Sequence, residues 1–154
     1  MRFLDRFEEW ALVVLLSAMS VLVFVSTVTR YVFFYPITWG EEAARYMMVW
    51  LAYIGASAGL KRGSHLGVEA LVTALPKSWR PFLDILKYLI IILFNVLVVI
   101  LARQIMANQM ATAQTSPALA IPIYFAYAAV PVGAFLMTLR SIQHIVLILR
   151  KKEV

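Results

Sequence analysis

Glu41, Glu42 and Arg45 form an acid-base cluster that the sequence places beside a predicted membrane boundary. Ionisable groups at such a depth are costly to bury, which makes them functional candidates. Their types and spacing are compatible with three roles: a proton or cation site, an intrahelical ion pair between Glu41 and Arg45, or contact with a partner protein. The position at a helix end, where one arginine can neutralise one carboxylate, argues against a deep coupling site.

The helix that carries this cluster has a recognisable start. Thr38 lies three residues before Glu41, a spacing that fits a capping box. In that motif the hydroxyl and the carboxylate accept hydrogen bonds from backbone N–H groups that the first turn leaves without partners. We therefore predict a helix that begins at Trp39.

The same helix is long enough to cross a membrane. Residues 43–60 are apolar except for Arg45, and the basic pair Lys61 and Arg62 ends the run. About 22 helical residues, each rising about 1.5 Å, can cross about 30 Å of hydrocarbon. The sequence therefore predicts a transmembrane helix over residues 39–60.

One face of this predicted helix combines charged and small residues. Gly55 and Gly59 form a small-xxx-small pattern, extended by Ala52 and Ala56, which allows a second helix to approach closely in lipid. Small residues are also common in membrane helices, so the pattern alone leaves a structural role open. Because the acid-base cluster shares this face, we predict that the face, called the ridge, contacts a partner. The predicted contact residues are Trp39, Glu41, Glu42, Arg45, Met48, Ala52, Gly55 and Gly59.

The composition is that of an integral membrane protein. Hydrophobic residues make up 63% of the 154 residues and charged residues 14%, whereas soluble domains have about half and about a quarter. The absence of cysteine excludes disulfides, thiolate metal sites and a cysteine nucleophile. The net charge of +6 comes from bases at the ends of apolar runs, where anionic lipids attract them.

Three further apolar runs are predicted to span the membrane. Residues 11–33 are predicted to form a retained anchor, since the uncharged run is too long for the core of a secretory signal peptide. Residues 82–110 form the next span, and residues 121–140 form the last, which Pro131 is expected to bend. The predicted fold class is therefore an all-α membrane protein with four transmembrane helices in a single domain, residues 1–154.

Two shorter segments are predicted to lie in the membrane interface. Residues 2–10 place large apolar side chains at helical spacing with charged residues opposite them, and residues 65–75 form a second, short helix that ends at Pro76. Neither segment is long enough to cross the bilayer. Structural or interfacial roles are expected for Thr38, Trp50, Lys61, Arg62 and His65.

The positive charges are unevenly distributed along this four-span arrangement. Eleven Lys and Arg residues fall on one side, and only Arg30, Arg45 and Arg103 fall on the other. Lys and Arg accumulate in cytoplasmic loops. Both termini are therefore predicted to be cytoplasmic, and the loops after Arg30 and Met110 are predicted to face outward.

The two histidines offer a conceivable haem site that the sequence does not favour. His65 and His144 both fall near the predicted cytoplasmic side. Paired haem ligands in a membrane bundle face each other from spanning helices, whereas His65 lies in a predicted loop. The sequence also has no nucleophile-base arrangement and no phosphate-binding glycine loop. We expect a chain that is not an enzyme and holds no cofactor or metal.

At the residue level the central segment resembles a known family, the small membrane subunit (DctQ family) of tripartite ATP-independent periplasmic (TRAP) transporters. The predicted four-span plan, chain length, amphipathic start and cytoplasmic termini agree with that family along nearly the whole chain. The residues that carry the resemblance are Trp39, Glu41, Glu42, Arg45, Trp50, Gly55, Lys61, Arg62 and His65, followed by an apolar helix.

This resemblance implies an accessory role. In such systems a large membrane subunit moves a small organic acid, a carboxylate or a sialic-acid-like solute, together with sodium, and a periplasmic binding protein delivers the solute. The small subunit braces the large one, and docking of the binding protein is a second role that the family allows. The resemblance thus implies a multi-pass protein of the bacterial inner membrane, with sodium coupling expected in the large subunit.

The residues themselves leave other functions open. A self-contained, proton-coupled cation transporter acting as a homodimer would use Glu41 or Glu42 as its coupling site, and it would transport a hydrophobic cation without a partner. A haem-bearing anchor of a respiratory enzyme would show a Soret band on purification. Neither is favoured by the position of the acidic pair at a helix end.

Overall fold

The computed structural model describes residues 2–61 and 80–151. Within these ranges the regular secondary structure is helical, with one isolated antiparallel bridge between Thr115 and Pro122. The helices are α1 (Arg2–Tyr31), α2 (Thr38–Lys61), α3 (Arg80–Ala111), α4 (Tyr124–Tyr127) and α5 (Ala129–Lys151). The predicted all-α fold class is confirmed.

Among the described residues, three stretches are long and apolar enough to cross a membrane: Arg6–Tyr31, Phe82–Ala111 and Tyr124–Arg150. Their apolar side chains are mostly exposed on the surface of the chain, as expected for residues that face lipid. The chain is therefore a multi-pass membrane protein. α2 is not among these three stretches, so the predicted fourth span is not confirmed by length and composition.

The predicted interfacial helices are not confirmed either. α1 runs without a break from Arg2 to Tyr31, so residues 2–10 form its first turns and not a separate helix. No glycine or proline interrupts this stretch, which allows one continuous helix. The predicted helix at residues 65–75 lies outside the described residues, as do Arg62 and His65.

The helices pack in the order α1, α2, α5, α3. α2 packs against α1 on one side and α5 on the other, and α5 also packs along α3. Two glycines allow close approaches between these helices. A Cβ atom added at Gly133 of α5 would lie 2.5 Å from the Cβ of Tyr53, and one at Gly40 of α2 would lie 2.5 Å from the Oγ of Ser26. At Gly133 the contact needs glycine because a methyl group would overlap the Cβ of Tyr53, whereas at Gly40 the Ser26 hydroxyl can rotate away.

The last helical region has an interruption near Pro131. Between α4 and α5 the regular helix is broken at Ala128, three residues before the proline. Proline has no backbone N–H, so it cannot donate to the carbonyl of Tyr127. α5 then continues through Arg140 to Lys151, beyond the predicted end of the last span at residue 140.

Candidate functional site

The predicted ridge forms a largely uncovered surface of α2. Glu41, Arg45, Met48 and Ala52 are exposed, and Met48 has an exposed fraction of 56%. Trp39, just before them, is 47% exposed. The first four residues follow one face of the helix at spacings of three and four, whereas Trp39, two residues before Glu41, lies on the opposite side of the helix. The part of the ridge from Glu41 to Ala52 is therefore open within the described part of the chain.

The glycines of the ridge lie in open surroundings. A Cβ atom added at Gly59 would have nothing within 4 Å among the described residues, and one at Gly55 would only touch Leu12 at 3.7 Å. The packing inside this chain therefore does not require glycine at either position. A second helix can approach closely where the side chains of a helix face are small and uncovered. The contact itself remains a prediction.

Glu41 pairs across two helices. Its Oε1 atom accepts a hydrogen bond from Nη1 of Arg30, the basic residue in the last turn of α1, at 2.8 Å. The short connection between α1 and α2 brings these ends together, and the Glu41–Arg45 pair considered from the sequence is not formed. The capping box is also absent, because the carboxylate binds Arg30 and not a backbone N–H. Both side chains are more than half exposed, so the pair contributes only about 0.2–1 kcal/mol.

Glu42 is turned toward the chain itself. Its Oε1 atom accepts a hydrogen bond from the Tyr46 hydroxyl at 2.9 Å. Its Oε2 atom accepts from the backbone N–H groups of Ala118 at 2.9 Å and Leu119 at 3.2 Å. The two adjacent carboxylates therefore differ: one lies at the surface beside Arg30, and the other holds the loop between α3 and α4.

Residues 112–123, called the outer loop because the sequence predicts that they face outward, have a defined structure around Glu42. The backbone N–H of Ser116 donates to the carbonyl of Ile121 at 2.8 Å, and the N–H of Ala120, which has a positive φ of 54°, donates to the carbonyl of Ser116 at 3.0 Å. Further along α2, the Trp50 indole N–H donates to the carbonyl of Phe125 at 3.2 Å. This contact ties α2 to α4, and the structural or interfacial role of Trp50 stays a prediction.

The sequence analysis missed a buried ion pair. Nη2 of Arg140 in α5 lies 2.9 Å from Oε2 of Glu8 in α1, and the two side chains are only 6% and 2% exposed. The Ser57 hydroxyl of α2 donates to the other carboxylate oxygen at 3.1 Å, and Arg140 also donates to Gln143 at 3.3 Å. This network joins α1, α2 and α5. The one available signal was that an acid before the first span and an arginine after the last fall on the same predicted side.

The described histidine belongs to the packing between α3 and α5. The ring of His144 stacks on Tyr88, with the ring centres 5.0 Å apart and the planes 5° from parallel. Nζ of Lys87 lies 4.6 Å from the centre of the Tyr88 ring and 3.1 Å from a carboxylate oxygen of Asp84. His65, the second ligand of the haem alternative, lies outside the described residues. Stacking on Tyr88 is thus one contact that holds the His144 ring between α3 and α5.

Comparison with known proteins gives a family match over most of the chain. The family model described as "Tripartite ATP-independent periplasmic transporters, DctQ component" matches residues 19–151. The C4-dicarboxylate TRAP transporter small permease protein DctQ of Rhodobacter capsulatus is 26% identical over 93% of this chain and 76% of its own length.

Two longer relatives also align with nearly the whole chain. The isethionate TRAP transporter permease protein DctMQ of Oleidesulfovibrio alaskensis is 27% identical over 90% of this chain, and the sialic acid TRAP transporter permease protein SiaT of Haemophilus influenzae is 26% identical over 93%. In each case the alignment covers only 23% of the relative. In these two proteins the region similar to this chain is therefore part of a much longer polypeptide.

Proposed function

The chain belongs to the DctQ family, the small membrane component of TRAP transporters, and from that premise we propose that it braces the large transport subunit of such a system. The resemblance predicted from the sequence is confirmed at the family level by the match over residues 19–151. This match is the observation that carries the proposal. It supports an accessory role in a TRAP transporter, and the substrate pathway is proposed to lie in the large subunit.

The use of the polar side chains supports a bracing role. Glu42 holds the outer loop, and Glu8 and Arg140 form a buried pair with Ser57. A transport site needs polar groups that remain available to a solute, whereas these groups are taken up by contacts between helices. The exposed ridge of α2 instead offers a surface for a neighbouring membrane helix.

The proposed partner is the large membrane subunit. In the DctMQ and SiaT relatives, the region similar to this chain is joined covalently to a longer polypeptide. Where the small subunit is a separate polypeptide, non-covalent contacts must provide that association. We place the contact on the ridge, because its small residues allow a helix to approach closely where lipid provides no hydrophobic drive.

We further propose that α2 is the fourth transmembrane helix. Its 24 residues extend about 36 Å, and it packs between α1 and α5, both of which lie in candidate spans. Its acidic residues lie at one end, where Arg30 and the outer loop bind them. The bias of Lys and Arg then favours cytoplasmic termini in the bacterial inner membrane. The outer loop would face the periplasm, where it could assist docking of the binding protein.

The substrate class follows from the relatives. Their names specify C4-dicarboxylate, isethionate and sialic acid, all of which are small organic acids. We propose that this chain serves a transporter of the same general class. Sodium coupling and substrate choice are assigned to the large subunit and the binding protein, and no cofactor is proposed for this chain.

Purification of the tagged chain from its native membrane in a mild detergent tests this function. Mass spectrometry of the purified sample is expected to identify a large polytopic TRAP subunit in near-equal amount. Transport of a hydrophobic cation by the purified chain alone, in vesicles, would instead favour the self-contained transporter. A Soret band in the purified sample would favour the haem anchor.

A further inference from the structure

A groove opens beside the end of the ridge that carries Gly59. α5 lies between α2 and α3 in the packing order, so α2 and α3 form the walls of this groove and α5 forms its floor. Its volume is about 480 Å³. Most of its lining is apolar. The lining residues that matter for the proposal are Ala56, Gly59, Ile90, Phe94, Asn95 and Met137.

Asn95 is the polar exception in this lining. The residue is 2% exposed, and its amide nitrogen has no hydrogen-bond partner among residues 2–61 and 80–151. It lies near the middle of the candidate span Phe82–Ala111, about 20 Å along the helix from either end. An amide donor in the hydrocarbon region without an acceptor is strongly unfavourable, so a buried one is expected to find a partner.

We propose that this groove receives a transmembrane helix of the large TRAP subunit, and that the amide nitrogen of Asn95 donates a hydrogen bond to an oxygen on that helix. The inference rests on the proposed function and identifies its contact site. Gly59 contributes because it adds no side chain to the wall of the groove, and a Cβ atom there would have nothing within 4 Å among the described residues. The partner backbone can therefore approach α2 closely, and its acceptor meets the Asn95 amide when that side chain, 2% exposed in the free chain, turns into the groove.

Other occupants fit these observations less well. A lipid acyl chain fills apolar space but carries no acceptor, and the ester and headgroup oxygens of lipids lie at the interface, far from the middle of the span. A second copy of this chain could bring an acceptor. However, the DctMQ and SiaT relatives join the similar region to a longer, different polypeptide, which favours a helix of another sequence.

The first test removes the donor. After co-expression with the large membrane subunit of the same TRAP system, we expect Asn95→Leu to lower the amount of large subunit recovered per tagged small subunit about three- to twentyfold. The thermal stability of the isolated variant in detergent should stay equal or rise, because an unpaired buried amide is replaced by an apolar side chain. Asn108→Leu, an exposed position on the same helix, should leave both measurements unchanged.

A lower stability of isolated Asn95→Leu would show that the amide serves this chain internally, and that outcome overturns the inference. Recovery of the large subunit at the wild-type level would overturn it as well. The comparison of the two measurements separates a failure of folding from a loss of contact.

The second test identifies the occupant directly. The chain contains no cysteine, so Gly59→Cys and Phe94→Cys each give it a single site for a maleimide photo-crosslinker, in a complex whose large subunit has had its own cysteines replaced. Crosslinking to the large subunit is expected from both positions, and Val14→Cys, exposed on α1 away from the groove, should give much less.

Crosslinking between two copies of this chain, or to lipid alone while the large subunit still co-purifies, would overturn the groove assignment and leave the proposed function intact. If no large subunit co-purifies with the unmodified chain, the proposed function fails, and the groove assignment fails with it.

Discussion

The contact between α2 and α5 and the ridge of α2 both contain glycine, but only the first is closed within this chain. At Gly133 the neighbouring Tyr53 leaves no room for a Cβ atom, whereas at Gly59 a Cβ atom would have nothing within 4 Å in the part of the chain that the structure describes. The difference shows that a small residue in a membrane helix can serve internal packing or an external partner, and that spacing alone does not separate the two. Substitutions should therefore damage the isolated chain in one region and the assembled complex in the other.

The largest effect is expected at the buried ion pair between Glu8 of α1 and Arg140 of α5, which is also closed within this chain. Arg140→Met would leave the carboxylate of Glu8 buried without its cationic partner, at a cost of about 3–5 kcal/mol in the stability of the isolated chain. The double variant with Glu8→Leu should recover much of this loss, because both charges are then gone. Thermal unfolding in detergent measures both. Similar melting temperatures for the single variant and the wild type would show that the pair contributes little to the fold.

The next effect concerns the glycine of the closed contact. Gly133→Ala places a methyl group against Tyr53, and the shift that it forces should cost about 1–3 kcal/mol. The same unfolding measurement on the isolated chain detects this loss. An unchanged stability would mean that α2 and α5 can separate freely, and the comparison between the two regions would then lose its basis.

Substitutions on the ridge should weaken assembly with the large subunit and not the stability of the isolated chain. Gly59→Leu replaces a poor helix former by a good one in open space, so the isolated chain should be equally stable or more stable by up to about 1 kcal/mol. Recovery of the large subunit should fall several-fold, since the bulky side chain keeps the partner helix away. Gly55→Leu should also weaken assembly. Co-purification of either variant with its partner at wild-type yield would show that the ridge is not the contact surface.

The sequence predicted the helical class well because hydrophobic runs are long and local. The structure confirms helices over most of the predicted spans, and α2 begins at Thr38, one residue before the predicted start. The relationship to the DctQ family could also be predicted, from the types of the residues in and around α2 and their order along the sequence.

Contacts between residues distant in sequence could not be predicted. Glu42 binds the backbone of Ala118 and Leu119, and the charge of Glu8 meets Arg140 near the other end of the chain. Such partners depend on which helices are neighbours, and hydrophobic periodicity contains no information about that order. For the same reason the sequence suggested a pair between Glu41 and Arg45, four residues apart, when the structure forms one with Arg30.

The smallest effect expected here distinguishes the two neighbouring glutamates. Glu42→Gln removes the negative charge that accepts hydrogen bonds from the outer loop, so the amides of Ala118 and Leu119 should exchange with deuterium about three- to tenfold faster. Glu41→Gln is the matched control, because its carboxylate is exposed and binds only Arg30 among the described residues, and it should leave the exchange of the loop unchanged. If the two variants loosened the loop equally, the internal role of Glu42 would be wrong. If neither did, the loop would be held by its own backbone hydrogen bonds, and Glu42 would again be a candidate for contact with a partner.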